Sequence, residues 1–494
     1  MLKGKTKIIL TNVETGEQEI HEDENLVTGA LDKIINIEMA MNHAPNDRIL
    51  PIATNALGGI MLFDGELTEN VNNIHFPVEA HLVGYANQST NTSDRYRGSY
   101  NSTESGKTEE GYVSVWDFGT HQANGVIRSL ARTSNYGGQN PIVYNAGPSD
   151  VQTESGAPAS DKNWCPIRYD GEYLYLLKGN TSSHVMRLAR TRIPSLKFGV
   201  ADYSNVARTY EVIASWNTLV TTYTYWSDAQ HRYEYTREIY ADYPEMYEDG
   251  HDGYIYCMFY GARGDSYRDY DYDITWFTIK YDGDEENNYT KSETHQLVSG
   301  TSYYCDSTYY VNMYYASRRW GHIYQGTLYR MSSDRKSFWK IPLDNVAGAV
   351  SSRVISAGVN DYIYDLRYFM SLKGAIWFMV YHYTESSYNY MGGVFYPDGY
   401  YVLNDVSYTG TNYYPESDSQ KWNSLRTCDD DLLMWRWYDN SSYTHLYRNW
   451  APNYLGTINN LEQVVTKTAA QTMKIVYTLT DIDEAEEEEE GSAE

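Results

Sequence analysis

The chain has 494 residues, of which 41% are apolar and 21% are charged, a composition typical of a folded protein rather than a disordered one. Its 66 acidic residues outnumber its 39 basic residues, and the net charge of −27 disfavours binding to the phosphate backbone of nucleic acids. No stretch approaches the roughly 20 consecutive apolar residues of a membrane-spanning helix, so we expect no membrane insertion.

The first predicted unit covers residues 1–135 and combines strands with one helix. Two strands are predicted around a turn at residues 14–17. Residues 26–41 carry apolar side chains mostly at i, i+3 and i+4 spacing, which predicts the helix. Strands follow, among them a buried run at residues 58–63 and a hairpin at residues 112–131. The unit is therefore a small α+β or β domain.

A change of composition separates this unit from the rest of the chain. Residues 136–162 are poor in apolar side chains and contain Gly137, Gly138, Pro141, Pro148 and Pro158. Glycine and proline interrupt regular structure, so we predict a linker or a crossing loop here, and a domain boundary with it.

Residues 163–455 repeat one pattern, in which a turn rich in Gly or Asp leads into a short aromatic strand and a second strand follows after a polar loop. The repeat is clear after Gly171, Gly253 and Gly374, although the intervals between these glycines are unequal. Repeated short strands joined by turns are typical of the blades of a β-propeller. We therefore predict a mostly β fold with an irregular β-propeller, and β-sandwiches are the alternative.

The end of the chain reads as a strand followed by an acidic tail. Residues 456–480 predict a closing strand that could join either the last blade or the N-terminal domain. Residues 481–494 include five consecutive glutamates at 486–490, which predicts a solvated, disordered tail.

The sequence offers no motif for a cofactor or a metal. It contains neither of the glycine-rich motifs that bind nucleotide phosphates, and its 12 histidines are scattered without the spacing of a zinc site. Asp269, Asp271 and Asp273 would share one strand face, but an acidic solvent-exposed face explains them better than a calcium site. The four cysteines stand far apart and are expected to be free. We therefore expect no cofactor, no bound metal and no nucleotide-dependent enzyme.

Residues 332–339 resemble the Asp-box turn of sialidase propellers. The segment keeps a Ser, Asp334 and Trp339 but has Lys336 where that turn has glycine. The resemblance implies a structural hairpin in a propeller blade and no catalytic group.

Tyrosine is the most unusual component of the composition, with 52 residues beside 12 Trp and 10 Phe. Tyrosine presents a rigid ring and a hydroxyl group, a combination that binding loops use and that stacks well on sugars. Adjacent tyrosines cannot both point inward from one strand, so part of each cluster faces solvent or a partner. The clusters expected in loops, and predicted to bind a ligand, are Tyr303, Tyr304, Tyr309, Tyr310, Tyr314, Tyr315, Tyr388, Tyr390, Tyr413 and Tyr414. The alternative is that these rings pack between blades.

The two ends of the chain resemble structural tail proteins of phages and prophages from Gram-positive gut bacteria. The matching segments are residues 8–32, 115–127 and 465–480. The resemblance implies a tail fibre, tail-tip or baseplate protein, often oligomeric, whose distal domain meets the host surface. It implies no catalytic residues.

These observations lead to three functional hypotheses. The first is a virion protein, made in the host cytoplasm without a leader, that contacts other tail proteins through residues 1–135. It would form a homo-oligomer and recognise host surface glycan through residues 163–455, with weak sites adding up by avidity. The second is a glycan hydrolase or depolymerase on the same propeller, since two well-placed carboxylates suffice for that chemistry. The third is a purely structural collar, baseplate or capsid-decorating protein.

Overall fold

In the computed structural model, most of the described residues lie in extended strands. The described residues are 2–30, 56–87, 94–109, 111–135, 137–138, 150–153, 165–169, 173–180, 185–192, 211–217, 219–227, 232–240, 246–263, 271–281, 290–291, 295–296, 322–332, 334–356, 360–363, 370–372, 374–384, 387–403, 421–422, 426–428, 431–439, 444–450 and 453–481. Within these ranges there is no helix with the length and apolarity that crossing a membrane requires. The prediction of a mostly β fold is confirmed.

Among the described residues, the N-terminal part of the chain supplies eight strands. They are β1 (Leu2–Asn12), β2 (Gln18–Val27), β3 (Gly59–Phe63), β4 (Leu82–Asn87), β5 (Arg97–Tyr100), β6 (Gly106–Lys107), β7 (Tyr112–Phe118) and β8 (Gly125–Thr133). Strand β1 shows why they form a sheet with one buried face. Thr6, Ile8 and Leu10 alternate with the exposed Lys3 and Lys5, which is the period of two that a strand requires.

The middle of the chain supplies the strands β9 to β33. The first blade contains β10 (Cys165–Tyr169), β11 (Tyr173–Asn180), β12 (Val185–Arg192) and β13 (Glu211–Asn217). The second contains β16 (Met246–Asp249), β17 (Tyr254–Arg263), β18 (Asp271–Lys280), β19 (Thr290–Lys291) and β20 (His295–Gln296). The third contains β21 (His322–Tyr324), β22 (Thr327–Met331), β23 (Ser337–Pro342) and β24 (Val350–Arg353), with a 3-10 turn at Val346–Gly348.

Two further blades complete the five that the described residues form. The fourth contains β25 (Tyr362–Ile363), β26 (Met370–Leu372), β27 (Ala375–Thr384), β28 (Ser387–Phe395) and β29 (Tyr401–Leu403). The fifth contains β30 (Lys421–Trp422), β31 (Arg426–Cys428), β32 (Asp431–Asp439), β33 (Thr444–Trp450) and, from far upstream, β9 (Asp150–Thr153). A separate hairpin of β14 (Leu219–Ser227) and β15 (Arg232–Tyr240) lies between blades one and two in the sequence.

The inner strands of the five blades form a closed ring. Strand β10 contacts β16, β16 contacts β21, β21 contacts β26, β26 contacts β31, and β31 contacts β10 again. Strand β9 pairs with β33 at the outer edge of the last blade, so a segment that precedes the first blade completes the fifth. Radial sheets around a closed ring are the architecture of a β-propeller, which confirms the predicted fold class.

The last two strands, β34 (Thr457–Lys467) and β35 (Gln471–Asp481), return to the N-terminal strands. Strand β35 pairs with both β1 and β7, and β34 pairs with both β2 and β8. The nine strands therefore close in the order β35, β1, β2, β34, β8, β3, β4, β5 and β7, and β6 adds to β7. The sequence left two partners open for the closing strand, the last blade and the N-terminal domain. In the structure it pairs with the N-terminal domain, which is a closed barrel.

Apolar and polar side chains pack inside the barrel. Arg132 is fully buried there, where its Nε donates to the carbonyl oxygen of Leu57 at 2.8 Å and its Nη2 donates to the Ser114 hydroxyl oxygen at 2.7 Å. Its guanidinium group also lies 4.6 Å from the ring centre of Tyr477. Burial lowers the pKa of Arg132 to about 10. Hydrogen bonds at Nε and Nη2 and an aromatic face thus replace part of the water that this cation loses, while Nη1 makes no hydrogen bond with a described residue.

Gly4 of β1 is required by the position of Tyr477. A Cβ at Gly4 would overlap the hydroxyl oxygen of Tyr477, which is fully buried on the neighbouring strand. We expect Gly4→Ala to destabilise the protein by about 1–3 kcal/mol through overpacking. Part of this loss should be recovered in the double variant with Tyr477→Phe, because the overlapping oxygen is then gone. Urea unfolding of both variants checks this, with the exposed Lys5→Ala as control; an unchanged Gly4→Ala would contradict it.

The barrel packs against the fourth blade through one continuous apolar cluster. Its barrel members include Met61, Phe63, Leu67, Phe76, Ala80, Leu82 and Tyr85, and its blade members include Ala375, Trp377, Val394, Tyr396 and Val402. Polar contacts border the cluster, since the amide of Leu82 donates to the Tyr396 hydroxyl oxygen at 2.9 Å. The imidazole of His81 lies 2.8 Å from an Asp398 carboxylate oxygen and stacks on the ring of Tyr400. Barrel and propeller are therefore joined by a packed core.

The Asp-box-like segment is the hairpin between β22 and β23. The Asp334 carboxylate accepts hydrogen bonds from the Ser332 hydroxyl group and from the amide of Lys336, and it pairs with Arg353 at 3.1 Å. The left-handed conformation falls on Arg335, with φ of 55°, and not on Lys336. A lysine in place of the usual glycine is thus accommodated, and the segment is a structural turn.

Two boundaries differ from those predicted. Leu26 and Val27 belong to β2, where they pair with Ile458 and Thr457, so the predicted helix does not begin at Leu26. Their register with β34 outweighs the helical spacing of the apolar residues that follow. Ala30 is helical, and residues 31–55 lie outside the described residues. Within the predicted linker, Asp150–Thr153 form β9, and the acidic tail from residue 482 onward lies outside the described residues.

Candidate functional site

An open cleft of about 670 Å³ lies between the second and third blades. Aromatic rings, hydroxyl groups, one amide and one carboxylate surround it. The lining residues are Tyr254, Tyr256, Trp276, Thr278, Gln325, Gly326, Thr327, Leu343 and Asp344. This combination of apolar faces and a few polar groups is typical of small-ligand sites.

The second blade supplies the aromatic wall through the alternation of its strands. Tyr254 and Tyr256 lie on one face of β17, and Trp276 and Thr278 lie on the same face of β18, with Tyr256 directly opposite Thr278. The rings of Tyr256 and Trp276 have centroids 6.0 Å apart. The opposite face of this pair, which carries Ile255, Cys257, Phe277 and Ile279, packs against the first blade. The period of two therefore turns the aromatic face toward the third blade.

The third blade supplies the polar rim through two turns. Gln325 and Gly326 form the two-residue turn between β21 and β22, with φ of 45° and 68°. Positive φ at both positions is the signature of a type I′ hairpin turn, which glycine adopts without strain. The amide of Gln325 donates to the carbonyl oxygen of Gly250 at 2.6 Å. The amide of Leu343 donates to the carbonyl oxygen of Gly326 at 2.8 Å. These bonds fix the rim relative to the aromatic wall.

Two carboxylates act on the phenol of Tyr256. Asp252 accepts a hydrogen bond from the Tyr256 hydroxyl group at 2.8 Å and another from the amide of Tyr254 at 3.2 Å. Burial, the hydrogen bond to Asp252 and the charges of Asp252 and Asp344 raise the pKa of Tyr256 well above its ordinary value. Asp344 is exposed, and its carboxylate makes no hydrogen bond or ion pair with another residue in the part of the chain that the structure describes. Asp252 is thus engaged within the site, whereas Asp344 faces its opening.

Two further carboxylates hold the inner strands together beside the cleft. Buried Glu248 on β16 lies 2.8 Å from Nδ1 of His322 and accepts the amide of Ile323 at 3.0 Å, which ties the second blade to the third. Asp249 accepts the Tyr281 hydroxyl group at 2.6 Å and lies 3.9 Å from Nε of Arg168 in the first blade. The ring therefore uses both carboxylates for contacts between blades.

The titration of Asp249 should be visible in the pH dependence of stability. Burial raises the pKa of this carboxyl group, so the folded chain keeps its proton to a higher pH than the unfolded chain. Its contribution to stability is complete below the unfolded pKa of about 4 and is lost as the pH rises through the raised value. We expect Asp249→Asn, which can still accept the bond from Tyr281, to gain stability relative to wild type as the pH rises. Thermal unfolding at pH 4 to 7 measures this, and parallel curves for the two proteins would refute it.

The structure places the predicted tyrosines differently from expectation. Tyr388 and Tyr390 belong to β28, opposite Tyr383 and Tyr381 of β27, so the prediction that they lie in a loop is wrong. Their alternation fits the long hairpin of the fourth blade. The other predicted ligand residues, Tyr303, Tyr304, Tyr309, Tyr310, Tyr314, Tyr315, Tyr413 and Tyr414, lie outside the described residues.

Sequence reasoning missed the residues that do line the cleft. Tyr254 and Tyr256 belong to an alternating aromatic strand, a pattern that equally indicates packing between blades. Two sequence features indicate the cleft. The strand that pairs with β17 places Trp276 and Thr278 on the same face as Tyr254 and Tyr256, and the Gln325-Gly326 turn follows later in the sequence. Only the arrangement of the blades shows that these segments meet.

Comparison with known proteins gives no family assignment. No family model matches the chain, and no curated protein matches it. Among solved structures, it is similar to a xylan β-1,4-xylosidase from Bacillus halodurans, with 10% identity, a TM-score of 0.27, and coverage of 63% of this chain and 54% of that one. The chain thus spans about half the length of that enzyme.

Two other solved structures show a likeness of similar strength. An α-L-arabinofuranosidase from Podospora anserina, in complex with cellotriose, has 8% identity and a TM-score of 0.24, covering 61% of this chain and 96% of that one. A glycosyl hydrolase from Bacteroides ovatus has 7% identity and a TM-score of 0.22, covering 64% and 99%. At these TM-scores the likenesses carry no assignment of activity, and the fold class follows from the strand pairing and the closed inner ring.

Proposed function

We propose that the propeller binds a saccharide noncovalently in the cleft between its second and third blades. The observation that supports this is the composition of the cleft, in which aromatic rings face polar groups across about 670 Å³. Such a volume falls within the range of about 300–1,000 Å³ typical of ligand sites. Sugar rings have apolar C–H faces and polar edges, so they suit a wall of Tyr and Trp beside hydrogen-bonding groups.

The two sides of the cleft would have different roles. Tyr254, which is partly buried, would contact the face of a sugar ring. Tyr256 and Trp276 are 6% and 9% exposed and pack against the third blade, so they would contribute only the edges that reach the cleft. Gln325 and Thr327 lie on the opposite rim and would accept or donate hydrogen bonds to hydroxyl groups. A preformed site of this kind loses little entropy when it binds.

Binding is tested with the full chain and a panel of soluble oligosaccharides by isothermal titration calorimetry. We expect Gln325→Ala to weaken binding of the retained sugars by about tenfold, since a lost hydrogen bond leaves a polar group of the ligand unpaired. Trp276→Phe should also weaken binding while keeping an aromatic side chain in the wall. Gln18→Ala, an exposed glutamine on the barrel, is the matched control. Failure of every saccharide to bind, or equal affinities for all variants, would overturn the proposal.

A glycan hydrolase is the second candidate, and one observation favours it. Asp252 and Asp344 both influence the phenol of Tyr256 beside the cleft, and a pair of carboxylates is what glycoside hydrolysis requires. Hydrolysis would release new reducing ends from a bound glycan, and Asp344→Asn should abolish that release. A chain that binds glycan and releases no reducing ends would support the noncovalent proposal instead.

A place in a phage-like particle is the third part of the proposal. The segments that resemble tail proteins supply β1, β2, β7, β8 and β35, all strands of the barrel, which supports treating the barrel as one attachment unit. Light scattering of the purified chain tests the homo-oligomer that this role implies. If the chain bound no glycan but co-assembled with other tail proteins, the purely structural hypothesis would be favoured.

A further inference from the structure

We propose that His81 makes the joint between barrel and propeller sensitive to pH, so that the two units hold together more firmly when its imidazole is protonated. This inference is independent of the proposed saccharide binding. The feature that leads to it is the position of one imidazole between two carboxylates, one from each unit. Asp64 follows β3 of the barrel, and Asp398 lies in the turn between β28 and β29 of the fourth blade.

Both ring nitrogens of His81 face a carboxylate oxygen. Nδ1 lies 3.1 Å from Oδ2 of Asp64, and Nε2 lies 2.8 Å from Oδ2 of Asp398. The other oxygen of each carboxylate accepts a hydrogen bond from a backbone amide. Asp64 accepts that of His81 at 2.7 Å, and Asp398 accepts that of Tyr400 at 2.9 Å. The ring therefore meets two acceptors whose orientation is already fixed.

The protonation state of the ring decides how many of these contacts are hydrogen bonds. An ionised carboxylate only accepts, and a neutral imidazole has one N–H, so its other nitrogen directs a lone pair toward an anion. A protonated ring donates to both carboxylates in charge-assisted hydrogen bonds. If the units separate, His81 keeps Asp64 and loses Asp398, which costs a protonated ring a full bond and a neutral ring little. Protonation therefore favours the joined arrangement, and this contribution is lost as the pH rises.

The surroundings of the ring hold it in place and leave it accessible to protons. The ring stacks on that of Tyr400, with centroids 4.1 Å apart, and meets the ring of Tyr396 edge-on at 4.9 Å. Burial raises the pKa of both phenols, so these tyrosines stay uncharged near neutral pH. The side chain of His81 is 24% exposed, which allows it to exchange protons with water.

Two cations lie on elements that surround the ring. Nζ of Lys340, on the third blade, donates to the carbonyl oxygen of Pro397 at 2.8 Å. The charge of Arg95, on the barrel, acts on the phenol of Tyr400. Imidazole is the side chain that ordinarily changes its charge between about pH 5 and 8, with a midpoint of about 6.5. His81 is therefore the group that makes this joint respond in that range.

Differential scanning calorimetry of the full chain at pH 5.5 and pH 8 tests the proposal. The readout is the interval between the barrel and propeller transitions, and a single transition counts as no interval. For wild type, we expect the interval to be wider at pH 8 by about 2–4 °C. His81→Phe keeps a ring against Tyr400 but cannot be protonated, so its interval should be the same at both pH values. Asp398→Asn changes an exposed position, and its amide can donate to or accept from the ring. In this variant the widening should fall to less than half of the wild-type value.

His21→Gln is the matched control. His21 lies 3.0 Å from a carboxylate oxygen of Glu19 on the same strand, so this contact stays within the barrel, and the variant should keep the pH-dependent interval of wild type. An equal interval at both pH values in wild type, or a widening that survives in His81→Phe, would overturn the proposal. Loss of the pH dependence in His21→Gln would also overturn it, because the effect would then not belong to His81. If His81→Phe does not fold, Asp398→Asn decides by the same criterion.

Discussion

A chain that ends at Tyr454, and therefore lacks β34 and β35, is expected to lose its barrel entirely. Strand β35 joins β1 to β7 along most of its length, and β34 joins β2 to β8. Among the described residues, the truncation also removes six buried apolar side chains, those of Leu455, Ile458, Val465, Met473, Ile475 and Tyr477. At about 1.5–3 kcal/mol for each, this loss equals or exceeds the roughly 5–15 kcal/mol by which a folded domain is stable.

Far-UV circular dichroism and limited proteolysis of the truncated chain measure this outcome. The control ends after Asp481 instead, keeps every described strand, and should unfold at the same temperature as the full chain. A synthetic segment of residues 455–494 should restore protease resistance to the shorter chain, since its partners are all present. A truncated chain with an unchanged, cooperative unfolding transition would show that the barrel does not depend on its closing strands.

Removing the indole of Trp377 is expected to weaken the joint between barrel and propeller. Trp377 on β27 is almost fully buried and meets the ring of Phe76 from the barrel at a centroid distance of 4.9 Å. Truncation of a buried Trp to Ala costs about 3–5 kcal/mol because it leaves a cavity as well as losing contacts. As this cavity lies between the two units, Trp377→Ala should also make their unfolding transitions separate.

Differential scanning calorimetry checks the second part of this expectation. Wild type should unfold in one transition or two closely spaced ones, and Trp377→Ala in two that are clearly resolved. Trp377→Phe retains an aromatic ring against Phe76 and should lie much closer to wild type. If the alanine variant unfolded like wild type, the cluster at the joint would contribute little to the coupling of the two units.

The fold class was predictable because alternation and turns are local properties of the sequence. A strand such as β17 shows its period of two directly, and so the propeller could be recognised from its blades. The number of blades was not predictable, since the hairpin of β14 and β15 has the same local pattern as blade strands but stands outside the inner ring. Ring closure depends on contacts between distant segments, which no local pattern encodes.

The candidate site was harder to predict for a related reason. Both faces of β17 are occupied, one by packing against the first blade and the other by packing against the third blade beside the cleft. Alternation separates the two faces but does not identify the neighbour of either. Doubled tyrosines break the alternation and therefore indicate that one ring of each pair is exposed. Tyr254 and Tyr256 follow the alternation, and the pattern does not distinguish them from residues that pack between blades.

The pairing of β9 with β33 and of β35 with β1 has a consequence for synthesis on the ribosome. Neither the barrel nor the ring can close until the final fifth of the polypeptide has emerged, so the early strands wait with unpaired edges. Contacts between such distant segments slow folding and leave the nascent chain open to aggregation. The protein should therefore depend strongly on chaperones and on low growth temperature for its yield.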